Sequence, residues 1–385
     1  MSELNKKLKV VVVGVRFGGA FVPLYLNHPD VERVGVCDVN PDMIQRMLDR
    51  YGDLDVYDDF EKVLEDDTVD AVHILTPPAF HVDMCERALL KGKHVACAVT
   101  MGTTIEELQR IINAVNKSNK KYMMMETSIF TRNFLYTKRL LDEGKMGKVQ
   151  FLKAEYYQDV EGLQPHWLGY PPMHYATHAF APLCYLAKSK IKRIFCFGSG
   201  EIKKEFEEKY GNPFAVESAV IEFENGLKGS VARSFNGVSK DFIEMFDCYG
   251  EKMTFEWQQI GTEHQPVVYK MADSLKLENG NYRWRPVEVN RITVADEVES
   301  LPEKLRPFVV EREYSELKDK NKKYKEGGDH HGSHPFLVHD FIRSIVEDRA
   351  PICDHIAAAN ICAAGILCHE SALQGGVLME VPNFE

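Results

Sequence analysis

The sequence predicts an α/β chain: a doubly wound parallel sheet over residues 1–128, then an α+β domain over 129–385 built on a large, open-faced, mostly antiparallel sheet. Three observations carry this. An apolar run from Leu8 to Val13 leads into Gly14-Val15-Arg16-Phe17-Gly18-Gly19, and a second apolar run ends at Asp38. Up to residue 125, short apolar runs alternate with helical stretches, as right-handed βαβ units require when both faces of a sheet are covered. Beyond residue 130, strand-like segments alternate polar and apolar side chains and follow one another closely.

The elements follow in order. Strands are expected at 8–13, 33–37, 70–75, 94–97 and 121–125, with helices between them, among them 79–91 and 104–119. The first strand and the glycine turn, with an acid about 20 residues on, make the dinucleotide-binding arrangement of a Rossmann domain. Gly14 permits the tight turn off the strand, and Gly19 lets the next helix pack closely on the sheet. The helix start offers free N–H groups and a partial positive charge to a pyrophosphate. The middle glycine of G-x-G-x-x-G is replaced by Arg16, whose guanidinium can itself meet phosphate, and Phe17 follows it. Asp38 is placed to accept from both ribose hydroxyls and repels a 2′-phosphate, so the expected cofactor is NAD rather than NADP. In such sheets ligands bind beyond the carboxyl ends of the strands. That rule selects Thr76 and Pro77 with His81, then Ala98, then Glu126, as further cofactor-binding candidates.

After a helix at 131–143, strands are expected at 149–157, 191–199, 216–223, 227–235 and 241–256. The span 257–330 reads as long loops, and the lysine- and glutamate-rich stretch 311–326 within it as a solvated surface. Helical periodicity returns at 335–348 and 355–373. A net charge of −11 argues against nucleic acid as a partner. No apolar run is expected to span a membrane, and no signal peptide fits the N-terminus. The nine cysteines are scattered without a C-x-x-C, as in a reduced cytoplasmic protein.

Several pieces carry a family resemblance: the glycine turn, Thr76-Pro77 with His81, Gly92-Lys93-His94-Val95, the segment ending in His178, Gly332-Ser333-His334-Pro335-Phe336 and Val381-Pro382-Asn383-Phe384. With these in order along almost the whole chain, it resembles the Gfo/Idh/MocA family of NAD(P)-dependent sugar and cyclitol oxidoreductases. The resemblance implies a Rossmann domain followed by an open-faced sheet. One face of that sheet meets the cofactor through its helices, and the other often joins subunits, so a homodimer or homotetramer is expected. One departure is large: where members carry Glu-Lys-Pro, this chain has Ala98-Val99-Thr100. The family's lysine orients the hydroxyl to be oxidised, which Val99 cannot do.

Oxidising an alcohol needs a base within reach of the hydroxyl proton. His174-Tyr175-Ala176-Thr177-His178 is the best supply, and if it is helical His174 and His178 share a face one turn apart. By the resemblance His178 falls on the family's catalytic histidine and His174 takes the place of its acid, with Tyr175 a candidate donor. The aromatic and polar stretch containing Tyr156, His166 and Trp167 reads as a carbohydrate lining, or else as a half-buried loop anchor. Asp329-His330-His331-Gly332-Ser333-His334 has metal-ligand residue types, but Ser333 before Pro335 reads better as a helix cap. No metal is therefore expected, and His330 is taken as a substrate contact. The leading expectation is an NAD-dependent oxidoreductase acting on a secondary hydroxyl of a sugar, glycoside or cyclitol, such as C3 of a pyranoside. The alternative is an NAD-dependent glycoside hydrolase that oxidises C3 transiently and eliminates the aglycone, because Tyr175-Ala176-Thr177-His178 is similar to the Tyr-Pro-Thr-His segment of such enzymes in the same superfamily. A cofactor-binding sensor without activity is the third reading.

Overall fold

The computed structural model describes residues 7–260, 263, 265–272, 279–280, 285–315 and 323–384. The chain divides into two compact units, one of residues 1–131, 296–362 and 384–385, the other of residues 132–295 and 363–383. Residues 296–362, placed by sequence with the second domain, thus cluster with the first.

In the first unit β1 (Leu8–Val13), β2 (Val31–Cys37), β3 (Asp55–Tyr57), β4 (Ala71–Ile74), β5 (His94–Cys97) and β6 (Tyr122–Met124) form a parallel sheet in the order β3-β2-β1-β4-β5-β6. β4 and β6 are buried at every position, as a sheet covered on both faces requires. The order reverses between β1 and β4, so Gly14 and Thr76 leave neighbouring strands at the switch point where such sheets bind ligands. β3 was missed. It is a three-residue edge strand whose Asp55 pairs with Lys9 and Arg33, so it carries charge where a core strand would carry apolar side chains. The helix expected after the glycine turn is broken into Val15–Gly18 and Val22–Leu26. Pro23 sits in the first turn of the second piece, where its missing N–H is tolerated and from which it cannot continue the first. Helix Ile105–Ser118 lies where its signals put it, capped by the Thr104 hydroxyl accepting from Glu107 N–H and ended by left-handed Asn119.

Helix His334–Val346 joins this unit through the stacked rings of Phe130 and Phe336, the Arg343–Asp30 ion pair and a His28–His339 hydrogen bond of 3.0 Å. Ser333 does not cap it: its φ of −75° and ψ of −27° are helical, which turns the side chain away, and its hydroxyl is buried without a partner. His28 accepts Asp30 N–H at Nδ1, so its Nε2 carries the proton that goes to His339. Burial, with the neighbouring His339, pushes His28 down to about 4, and burial alone pushes His73 down to about 3. Both rings fold neutral. The unfolded chain takes up protons near pH 6.5 that the folded one refuses, so stability present above that pH is lost as it falls towards 4. We expect each ring to cost about 2 kcal/mol between pH 7 and pH 5. The melting temperature should fall over that range, and the fall should shrink in His28→Gln; a flat profile would contradict the neutral pair.

In the second unit β7 (Val149–Tyr157), β8 (Ile191–Ser199), β9 (Val216–Phe223), β10 (Lys228–Ser234), β11 (Ile243–Gly250), β12 (Met253–Glu256), β13 (Val267–Met271) and β14 (Val287–Arg291) join one sheet. Strands β15 (Arg312–Ser315) and β16 (Lys323–Glu326), which belong to the first unit, pair antiparallel in a sheet of their own, and β17 (Met379–Glu380) closes the large sheet. Its order is β14-β13-β12-β11-β7-β10-β9-β8-β17, antiparallel throughout except between β7 and β10. It is open on one side: Ser218 and Val220 of β9 are exposed while Glu217, Ala219, Ile221 and Phe223 are buried. The expected strand 241–256 is two strands, β11 and β12, folded back on each other. The span expected as loops contains β13, β14, β15 and β16, and residues 316–322 of the expected solvated stretch lie outside the described residues. Helix His355–Leu373 corrects one expectation: at 19 residues it is long and apolar enough to cross a membrane, but 78% of its apolar window is buried in the protein, as in a core helix.

Candidate active site

The first unit carries the dinucleotide-binding candidates. Gly14 turns off β1 with φ +86°, and a Cβ there would meet the Leu75 carbonyl at 3.0 Å. Gly19 is equally constrained, since a Cβ would lie 2.9 Å from the Val15 carbonyl oxygen and 3.1 Å from Met47. Arg16 and Phe17 are exposed at the tip of this turn. Asp38 stands beside it, accepting Val15 N–H on one carboxylate oxygen and Asn40 N–H on the other, both at 2.9 Å. Its carboxylate therefore braces the glycine turn from the end of β2 and keeps lone pairs for further donors. A cradle closed to any Cβ, two exposed residues at its rim and a carboxylate beside it fit a dinucleotide.

The other strand-end candidates divide by exposure. Thr76, Pro77 and Ala98 are half-buried and accessible. His81 and Glu126 are fully buried, so each acts on the surface above only through the loops it holds. His81 lies 2.8 Å from the Thr76 carbonyl oxygen and 2.8 Å from that of Thr100. Carbonyl oxygens only accept, so both ring nitrogens carry protons and the buried ring is an imidazolium. Although burial opposes that charge, Cys97 and the two carbonyls hold the group up at about 9. It clamps the loop after β4 to the loop after β5. Glu126 accepts Ser128 N–H and Ser128 Oγ–H on one oxygen and so shapes the turn after β6. Val99 is buried beside Thr100, with no polar group to offer. In the same unit His330 packs at 5.5 Å against His334, which stacks on Phe21 at 4.3 Å and meets the edge of Phe17 at 6.3 Å. Among the described residues, no group of three His, Cys, Asp or Glu side chains is arranged to hold a metal.

The second unit carries the histidine candidates. His174 and His178 do not share a helical face. Pro171 and Pro172 start a 3₁₀ turn, Pro172–Tyr175, and Ala176 separates it from helix Thr177–Ala187, which contains His178. His178 is 4% exposed, with its ring 5.5 Å from that of Tyr156 and 5.7 Å from that of Tyr175. His174 instead faces His369 at 5.1 Å and Tyr170 at 6.0 Å. Burial, with His369 nearby, pushes it down to about 3, so it stays neutral and is a poor substitute for an acid. Tyr156 is a buried floor residue rather than an exposed lining. Trp167 stacks on Phe235 at 5.9 Å and meets Tyr175 edge-on at 4.8 Å, so it anchors its loop and walls the same cluster. His166 is half-buried beside it, its ring 4.7 Å away.

The structure adds a buried polar row that the sequence reading missed. Glu217 on β9 is the register partner of Arg233 on β10, Arg233 of Tyr156 on β7, and Tyr156 of Glu244 on β11. All four are buried. The Arg233 guanidinium lies 3.5 Å over the Tyr156 ring and 4.0 Å over Phe235, and donates to Gln158 and to main-chain carbonyls. Burial pushes Arg233 down to about 10, still charged at neutral pH, and burial with the Glu244 charge keeps Tyr156 a phenol. The signal was present in the alternation. Each residue falls in the apolar phase of its strand: Glu217 with Ala219 and Ile221, Arg233 with Val231, Tyr156 with Leu152 and Ala154, Glu244 with Phe246 and Cys248.

Residues 8–126 match the Gfo/Idh/MocA family, described as an oxidoreductase family with an NAD-binding Rossmann fold. A glycosyl hydrolase family 109 protein of Saccharopolyspora erythraea is 29% identical over 171 residues, 42% of this chain and 37% of that protein. The aligned stretch thus spans little more than a third of that relative. A glycosyl hydrolase family 109 protein of Porphyromonas gingivalis is 24% identical over 98% of this chain and 84% of its own length. In fold, the chain is similar to scyllo-inositol dehydrogenase of Lactobacillus casei, solved with NAD(H) and scyllo-inositol: TM-score 0.70, 16% identity, 98% of this chain and 99% of that one. The glycine cradle, the acid after β2 and the family match over the same residues agree: residues 8–126 are an NAD-binding Rossmann domain similar to that of the Gfo/Idh/MocA oxidoreductase family.

Proposed function

We propose that the chain oxidises a secondary hydroxyl of a sugar, glycoside or cyclitol, with C3 of a pyranoside the favoured position. The observation that carries this is His178, a histidine set among aromatic rings in the second unit of a chain whose first unit binds NAD. NAD, when bound, supplies a hydride acceptor for the carbon that is oxidised. Gly14 and Gly19 keep the cradle open, Asp38 receives the ribose hydroxyls, and Arg16 answers the phosphate charge. His178 takes the hydroxyl proton, so the alcohol loses a hydride and a proton and becomes a ketone. Tyr175 and Trp167 offer ring faces to the apolar side of a sugar. Apolar side chains on the open sheet face, Val220 and Phe197, support a homodimer or homotetramer.

A second reading is favoured by the Porphyromonas relative, aligned along nearly the whole chain, and by Val99 in place of the family's lysine. In it the oxidation at C3 is transient and serves to cleave a glycosidic bond. A panel of nitrophenyl glycosides and free cyclitols separates the two. Keto-sugar with stoichiometric NADH is expected from the first; nitrophenol without net NADH replaces it with the second, and neither product from any member refutes both.

A further inference from the structure

The buried row ends at Glu217, and there it meets the backbone of the histidine segment. Glu217 is fully buried. One of its oxygens accepts Met173 N–H at 2.8 Å, and the other lies 2.7 Å from His369 Nδ1, which therefore carries a proton and donates it. Three elements far apart in sequence converge: β9, helix His355–Leu373 and the turn Pro172–Tyr175. A buried carboxylate costs several kcal/mol of desolvation before its partners offset it, and an apolar side chain would fill the place without that cost. What the carboxylate adds is a directed anchor on one peptide group.

From that anchor the hydrogen bonds run to the candidate base. Met173 carbonyl accepts Ala176 N–H at 3.2 Å, and Ala176 carbonyl accepts Ala179 N–H at 2.9 Å and Phe180 N–H at 3.0 Å, the first bonds of the helix that holds His178. Tyr175 lies inside this chain of bonds, with its ring edge-on to His178. His369 braces the same turn from the other side, its ring edge-on to His174.

We propose that Glu217 and His369 are positioning residues, a buried carboxylate–imidazole pair that fixes the turn Pro172–Tyr175 and through it the placement of Tyr175 against His178. This rests on the oxidoreductase reading for its consequence in turnover but not for its geometry. Glu217→Gln is the sharpest variant. The amide keeps the shape, but its single acceptor oxygen cannot serve both Met173 N–H and His369 Nδ1–H in one orientation. His369→Gln tests the other member and stands in should the first fold poorly.

The test uses the full chain with ¹³C-labelled histidines, its His178 resonance assigned by loss in His178→Asn. Ring currents from Tyr175 and Tyr156 make the His178 Cε1–H shift a ruler of their separation. In Glu217→Gln that resonance is expected to move by more than its linewidth at constant pH, with NAD affinity unchanged. On a substrate found by the glycoside panel, kcat should fall by about tenfold to 10²-fold, the scale set by small misplacements, with KM nearly constant. An unmoved His178 resonance overturns the proposal, whatever happens to the melting temperature, because a merely structural pair lowers stability and leaves the site in place. Absence of turnover in the wild-type chain defeats the oxidoreductase reading alone, and the resonance still decides this one.

Discussion

His178→Ala is expected to lower kcat by roughly 10²–10⁴-fold, the span removed when a general base is lost, and to leave NAD affinity unchanged. The two halves of this expectation come from the division of the chain. The glycine cradle and Asp38 belong to the first unit, and His178 to the second. His178 is nearly buried between Tyr156 and Tyr175, so truncation to alanine also leaves a void, and voids of this kind cost stability. His178→Asn separates the two effects: it fills much of the space and cannot take a proton near neutral pH. Single-turnover NADH formation measures the chemical step, and a thermal shift with NAD measures the cofactor. Both variants should show the kinetic loss, and only the alanine a marked fall in melting temperature. Turnover in His178→Asn within a few-fold of wild type would take the base away from His178, and with it the mechanism.

Most of the first unit was legible because its signals are local. Buried parallel strands read as continuous apolar runs, so β1, β4, β5 and β6 were found within a residue or so of their ends. β3 escaped because an edge strand answers to its charged neighbours Lys9 and Arg33 rather than to the core. In the second unit the alternation marked β7 to β10 and the β11–β12 hairpin as extended, but a period of two does not reveal which strands are neighbours. For that reason the Glu217–Arg233–Tyr156–Glu244 row stayed hidden, although each member breaks the polarity of its own face. The site was half legible. The rings of His178 and Tyr175 pack edge to face, whereas His174 and His178 do not share the helical face expected of them, because two prolines and Ala176 split what looked like one helix. His81 was named for the right loop and the wrong reason. Its spacing from Thr76 was visible, but only the fold shows two carbonyls closing on its ring.

Gly14→Ala should weaken NAD binding by at least about tenfold, although the substitution adds a single methyl group. Two costs combine. At φ +86° an L-residue pays about 1–2 kcal/mol for a left-handed backbone. The added Cβ would also stand 3.0 Å from both the carbon and the oxygen of the Leu75 carbonyl and 3.1 Å from Thr76 nitrogen. These are backbone atoms at the end of β4, with no rotamer to yield. Relief must come from moving the turn after β1 or the loop after β4, and both leave the sheet at the switch point where the dinucleotide is expected to lie. Each 1.4 kcal/mol of distortion that binding must undo is worth a factor of ten. Calorimetric titration with NAD, beside a melting curve of the free protein, separates the shares: strain relaxed before binding appears in affinity, and strain retained appears in stability. Wild-type affinity in Gly14→Ala would mean that the turn tolerates a Cβ, and that its glycine does not explain how this chain holds a dinucleotide.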